Sequence, residues 1–209
     1  HPQRVSHLIL YGGFAAPFES QETGEGLAQL FLERWGQDNP MVRQMMTTSL
    51  IPESTLEEQQ ALNELQALST SAENAARITR LIFSINVVPL LSKITVPTLV
   101  VHARGDALPL ESGRQLAAGI PGARFVVTEC RNHILLEHDP AAERFFQELH
   151  AVIDSWAVRR ESPKLHHSSH GAVAWLGHTA ALAHEHADGT MVLACGFPVP
   201  RDLYDVVVA

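Results

Sequence analysis

Asp106 and His133 stand at matching places in the chain. Asp106 follows the apolar run "PTLVVHA" (97–103), and His133 follows the run "ARFVVTE" (123–129). Both runs are short, rich in valine and bounded by turn residues, the pattern of buried strands. A single helical segment, "LESGRQLAAGI", lies between them. Strand, helix and strand in that order predict neighbouring parallel strands. The carboxyl edge of such a sheet is where reactive side chains gather, so the carboxylate and the imidazole are expected to meet there. A buried carboxylate beside a histidine fixes the tautomer and stabilises the imidazolium formed when the ring takes a proton, which is the chemistry of acyl transfer. Asp106 by itself reads equally as a turn or N-cap residue ahead of the next helix. The pairing with His133 carries the catalytic reading.

An acid and a base need a nucleophile. Cys130 lies three residues before His133, but a cysteine at a strand end usually serves as a small buried hydrophobe. No G-x-S-x-G elbow occurs, and Ser112 in "ESGRQ" lacks the strand–turn–helix setting that such a serine requires. His102 and His138 read as packing or surface residues, and Glu137 as part of a solvated face.

The elements that must position the pair follow from hydrophobic period and punctuation. "VSHLILYGG" (5–13) predicts a buried strand closed by a glycine turn at Gly12 and Gly13. From about 24 to 84 the period is helical. "GLAQLFLERWG" places Leu27, Leu30, Phe31 and Trp35 on one face, ended by Gly36. "NPMVRQMMTTSL" opens on Asn39-Pro40. Ser54…Glu57, or Thr55…Glu58 one residue on, forms a capping-box pattern. "AENAARITRLIFSI" is a further helix. "DPAAERFFQELHAVIDSW" places Phe145, Phe146, Leu149, Val152, Ile153 and Trp156 on one face, with Asp139 as cap and Pro140 in the first turn. The aromatic and methionine residues Phe14, Phe18, Trp35, Met41, Met45 and Met46 fit ordinary packing. Phe14, Trp35 and Met45 are the candidates for lining an apolar binding pocket.

With 209 residues, 45% of them hydrophobic, the chain is long enough for one core with a smaller appendage. A net charge of -8 argues against a nucleic-acid surface. Two cysteines, Cys130 and Cys195, favour a reducing compartment, and no stretch suggests a membrane span or signal peptide, so a cytoplasmic location is expected. The opening at His1, directly ahead of an apolar strand, reads as a segment of a longer protein. After Arg160 the character changes. Residues 162–186 hold six of the twelve histidines, without zinc-site spacing, and no strand period returns until "TMVLACGF". This tail, 159–209, is expected to be disordered or an aberrant reading, and no metal or cofactor is expected.

The stretch "ITVPTLVVHARGDALPLESGRQLAAGIPGARFVVTECRNHILLEHDPAAERFFQELHAVIDSW" resembles the C-terminal part of an α/β hydrolase. "HPQRVSHLILYGGFA" resembles the stretch just after that family's nucleophile helix, and residues about 14–90 match the position of its helical lid. The resemblance covers residues 1–158 and is nearest to hydrolase domains of LuxR-type or cyclase-linked bacterial regulators. It implies a partial α/β-hydrolase fold, a parallel sheet with a helical lid, without the N-terminal strands and the nucleophile elbow. It implies Asp106 as triad acid and His133 as triad base, with a small apolar ester-like substrate. A full-length parent would then cleave an ester or a related acyl or carbon–carbon bond by Ser-His-Asp chemistry, this segment alone being inactive. The alternative is a ligand-sensing domain of a transcription regulator. Two expectations follow from departures. The segment after Asp106 is one residue shorter than the family pattern, which would tilt Asp106 away from His133. With the preceding strand outside the chain, the strand 5–13 would expose an apolar edge and lower solubility.

Overall fold

Valine- and leucine-rich runs with no polar face belong inside a sheet covered on both sides. The computed structural model describes residues 5–35 and 40–159, with side chains through 152, and the strand segments 173–176, 179–182, 185–186 and 189–195. The three strands expected from the sequence form as β1 (Val5–Tyr11), β2 (Thr98–Ala103) and β3 (Arg124–Thr128). They are mutually parallel, with β2 between the other two. Every residue of β2 is buried, as a central strand requires.

Beyond residue 159, the described segments add further strands. β4 (Val173–Leu176) and β5 (Thr179–Leu182) form an antiparallel pair of their own. β6 (Glu185–His186) and β7 (Gly189–Cys195) join the main sheet, giving the order β3-β2-β1-β7-β6. β7 runs parallel to β1, with Cys195 level with Tyr11. The expected exposed edge at β1 is therefore absent, because backbone groups on that side of the strand are taken up by the "TMVLAC" segment. Most of the tail's histidines lie outside the described residues.

Between β1 and β2 the chain inserts α1 (Gln21–Arg34), α2 (Met41–Leu50), α3 (Leu56–Ser69), α4 (Ala72–Ile82) and the single turn α5 (Val88–Leu91). Of the two capping-box registers, Thr55…Glu58 forms. The Thr55 side chain accepts from the Glu58 N–H, and the Glu58 carboxylate accepts from the Thr55 N–H. The Ser20 and Ser71 side chains accept from the Thr23 and Asn74 N–H groups and so cap α1 and α4. Pro40 occupies the N-cap of α2 without a side-chain bond, and Asn39 lies outside the described residues. α1 packs on α4, and α2 on α3.

α6 (Leu110–Gly119) and α7 (Pro140–Arg159) cover opposite faces of the sheet. Strand alternation sorts the side chains between them. Ile9, Tyr11, Leu99, Val101 and Val126 pack with Phe145 and Leu149 of α7. Val100 and Leu10 turn the other way, towards Leu116 of α6. Asp139 caps α7 as expected, its carboxylate accepting from the Ala141 N–H at 2.8 Å. The Phe145 ring meets Tyr11 edge-on at 5.6 Å. Truncating Phe145, which is 2% exposed, to alanine is expected to cost about 3–5 kcal/mol through lost transfer energy and the cavity left behind. Leu68→Ala, at a position 87% exposed, should change stability by less than about 0.5 kcal/mol. Urea denaturation midpoints of the two variants check the contrast.

Candidate active site

β2 and β3 continue to pair beyond their strand ends. The Arg104 N–H donates to the Thr128 carbonyl at 2.9 Å, and the Gly105 N–H to the Cys130 carbonyl at 3.0 Å. The two loops leaving the sheet are thus stitched together where the reactive residues begin. A Cβ on Gly105 would stand 2.6 Å from the Arg131 side chain, so this close approach is possible because position 105 has none.

The stitching brings Asp106 and His133 into contact. His133 Nδ1 lies 2.9 Å from Asp106 Oδ1 and 3.1 Å from Oδ2. The Asp106 side chain has no exposed surface and that of His133 is 5% exposed. A carboxylate only accepts, so Nδ1 carries the proton and donates it, and Nε2 holds the lone pair. The shortened segment after Asp106 does not tilt the carboxylate away. Oδ1 also accepts the Leu108 N–H at 2.9 Å, closing a tight Asx turn that fits the two-residue spacing to Pro109. Asp106 is therefore a turn residue and the partner of His133 at once.

His102 supports this turn from below. It is fully buried, its Nε2–H donates to the Leu108 carbonyl at 3.1 Å, and Nε2 lies 3.9 Å from Asp106 Oδ2. A Cβ on Gly113 would come within 2.8 Å of the same ring, so a glycine in α6 makes room for it. The packing role expected for His102 thus extends to fixing the loop that carries the acid. His138 is a surface residue, paired with Glu58 at 3.3 Å, and Glu137 is exposed.

Gly12 forms the wall behind the imidazole. Its φ of 58° is in the left-handed region, and its N–H donates to the Val101 carbonyl. A Cβ there would stand 2.7 Å from His133 Cε1 and 3.4 Å from Asp106 Oδ2. A glycine turn was legible in "YGG", but its contact with the histidine was not. Asn132, immediately before His133, was also missed. It is 1% exposed. Its Nδ2 donates to Asp139 Oδ2 at 3.2 Å and its Oδ1 accepts the Glu53 N–H at 2.9 Å. The His133 N–H donates to the Leu50 carbonyl at 2.7 Å, so the loop carrying His133 is fastened to the helical insertion.

The other expected site residues are placed as follows. Phe14 meets Phe18 edge-on at 5.5 Å, and Phe18 lies 5.7 Å from Phe83, a row of rings leading from the end of β1 into the insertion. Trp35 is buried with Phe31, Val42 and Ala75, its Nε1–H donating to the Thr70 carbonyl. Met45 is 42% exposed. Neither Trp35 nor Met45 shares a described contact with Asp106 or His133. An open cleft of about 470 Å³ runs between Ala16–Phe18 and α6, with Pro109 and Ser112 among its lining; Asp106 and His133 are not part of that lining. Cys130 is 7% exposed. Burial pushes its thiol up to about 11, with the Asp139 carboxylate adding to the effect. A thiol so raised is a poor nucleophile near neutrality. Burial likewise raises the Tyr11 phenol far above its ordinary range, and its O–H donates to the Asn132 carbonyl. No group of metal-ligating side chains occurs among the described residues, and no described helix is long and apolar enough to cross a membrane.

No protein-family model and no curated protein matches the chain. Solved structures do. An esterase from Exiguobacterium antarcticum aligns with a TM-score of 0.58 at 24% identity, over 72% of this chain and 57% of that one. The enol-lactonase from Burkholderia xenovorans LB400 aligns with a TM-score of 0.57 at 21% identity, over 74% of this chain and 58% of its own. A bromoperoxidase from Bacillus anthracis aligns with a TM-score of 0.60 at 16% identity, over 72% and 59%. The chain thus spans less than two thirds of the structures it matches. Likeness at such identities speaks for architecture, and together with the parallel sheet and the helices inserted between β1 and β2 it shows that this chain adopts a partial α/β-hydrolase fold.

Proposed function

We propose that Asp106 and His133 are the acid and base of a serine-type acyl hydrolase. The observation that carries this reading is the imidazole Nδ1 held 2.9 Å from a fully buried carboxylate at the carboxyl edge of a parallel sheet. In this reading the serine comes from a segment outside these 209 residues, since no G-x-S-x-G elbow lies within them. His133 Nε2 takes the serine proton as the hydroxyl attacks the acyl carbon and returns it to the leaving group. Asp106 keeps the ring in the required tautomer and stabilises the imidazolium between these steps. The row Phe14, Phe18 and Phe83 supports an apolar acyl group as substrate. The similar esterase and enol-lactonase make short-chain esters and lactones the first compounds to try.

The full-length parent is expected to hydrolyse p-nitrophenyl esters, and this chain alone is not. In the parent, His133→Ala and Asp106→Asn should each lower kcat by roughly 10⁴-fold. Full activity in either variant would refute the assignment. Cys130→Ala should leave the rate within about twofold, because a thiol this raised does not supply the attacking group. A parent that binds an apolar ligand without turning it over would support the ligand-sensing alternative, as would a DNA-binding domain beyond residue 160.

Gly12→Ala gives a separate check on the geometry. The added methyl must displace the imidazole or the glycine turn, so a loss of kcat on the order of 10²-fold is expected. The assay should be run below the variant's melting temperature, where the protein stays folded. A variant as active as the wild type would show that the wall behind His133 is not needed.

A further inference from the structure

We propose that Asn132 is a positioning residue for His133, and that it makes docking of the helical insertion and alignment of the base a single event. The inference rests on the hydrolase reading of His133 and adds a residue to it. Residues 129–139 connect β3 to α7 without regular secondary structure, so contacts from elsewhere decide where the loop sits. Four successive residues of this loop bond to one short segment of the insertion, the last being Ile134, whose N–H donates to the Leu50 carbonyl at 3.3 Å. The Arg131 N–H donates to Glu53 Oε2 at 3.1 Å. Asn132 Oδ1 accepts the Glu53 N–H at 2.9 Å. The His133 N–H donates to the Leu50 carbonyl at 2.7 Å. Leu50, Ile51 and Leu62 of the insertion pack with Leu136 of the loop, so the polar contacts lie beside a dry cluster.

The Asn132 side chain grips both sides. While its carbonyl oxygen holds the insertion, its amide nitrogen donates to Asp139, which caps α7. Its own backbone carbonyl accepts from Tyr11 at the end of β1. An asparagine suits this place because it offers both a donor and an acceptor. Burial makes each unmade bond costly, so the arrangement favours one loop conformation. In that conformation Nδ1 of His133 meets Asp106.

The first test uses the 209-residue chain and needs no catalysis. The His133 Nδ1–H proton is observed by NMR, assigned by its loss in His133→Ala. Asn132→Ala is expected to broaden or abolish this signal through faster exchange, while far-UV circular dichroism stays that of the wild type. A signal as sharp and slow to exchange as in the wild type would overturn the proposal. If Asn132→Ala does not fold, Glu53→Ala decides, since Glu53 is exposed and its side chain bonds to Arg131 N. It should broaden the same signal partially, and an unchanged signal would again refute the coupling.

The second test uses the active parent. Asn132→Ala should lower kcat by about 10- to 100-fold with KM within about twofold, as expected for a misplaced base. A residue of purely structural value would lower the melting temperature and leave kcat of the folded enzyme intact. Inactivity of the wild-type parent would count against the hydrolase reading alone, because the NMR result stands without it.

Discussion

A carboxylate with no exposed surface has to be compensated by donors, and the rest of this site follows from how Asp106 is compensated. Taking such a group out of water without partners is costly enough that the protein would keep it neutral or leave it outside. Asp106 receives the Leu108 N–H and the His133 Nδ1–H. The first donor is local and comes from the turn itself. The second is 27 residues away and arrives only because β2 and β3 pair and carry their pairing into the loops. The Asp106–His133 hydrogen bond is therefore a product of the sheet, and it in turn selects the tautomer of the histidine. One contact links backbone register to the proton inventory of the site.

The parts of this arrangement that were legible in the sequence are those set by local rules. Valine-rich runs separated by one helix gave β2 and β3 as neighbours, and Asp106 and His133 fell in register at their ends. Thr55…Glu58 and Asp139-Pro140 marked helix starts that the structure contains. What was not legible depends on contacts between distant segments. The short step from Asp106 to Pro109 suggested a tilt, but an Asx turn absorbs it. Gly12 read as a turn glycine, yet its missing Cβ also makes room for an imidazole from the far end of the sheet. Asn132 carried no signal beyond its place next to His133, since its partners Glu53 and Asp139 lie on different elements. The β7 pairing was not foreseen because the period of "TMVLACGF" marks a strand but does not say that it joins β1, about 180 residues earlier.

The helical insertion is held in two different ways, and the difference bears on how the site works. Inside it, Phe31, Trp35, Val42 and Ala75 make a small apolar core between α1, α2 and α4, while side-chain bonds such as Thr47 to Asn63 and Gln44 to Gln59 join α2 to α3. Against the sheet domain, the junction near His133 joins backbone hydrogen bonds to a leucine–isoleucine cluster. A purely apolar junction is non-directional and tolerates sliding. Hydrogen bonds to four consecutive loop residues do not, because each has a narrow range of distance and angle. The insertion is thus constrained in orientation where it meets His133.

This constraint explains how an irregular loop can hold His133 in one place. The proposed general-base role needs an atom placed to within a fraction of an ångström, and loops are the least ordered parts of most folds. A helix or strand would supply order through its own ladder. Here order comes from four directions: Gly105 from the acid loop, Tyr11 from β1, Leu50 and Glu53 from the insertion, and Asp139 from the start of α7. Each contact alone is of the kind that contributes about 1 kcal/mol net, too little to fix a conformation against thermal motion. They act together because they converge on residues 130–133, so displacing His133 means breaking several of them at once. The precision of the Asp106–His133 contact is in this sense a property of the junction between three parts of the fold, and no one element contains it.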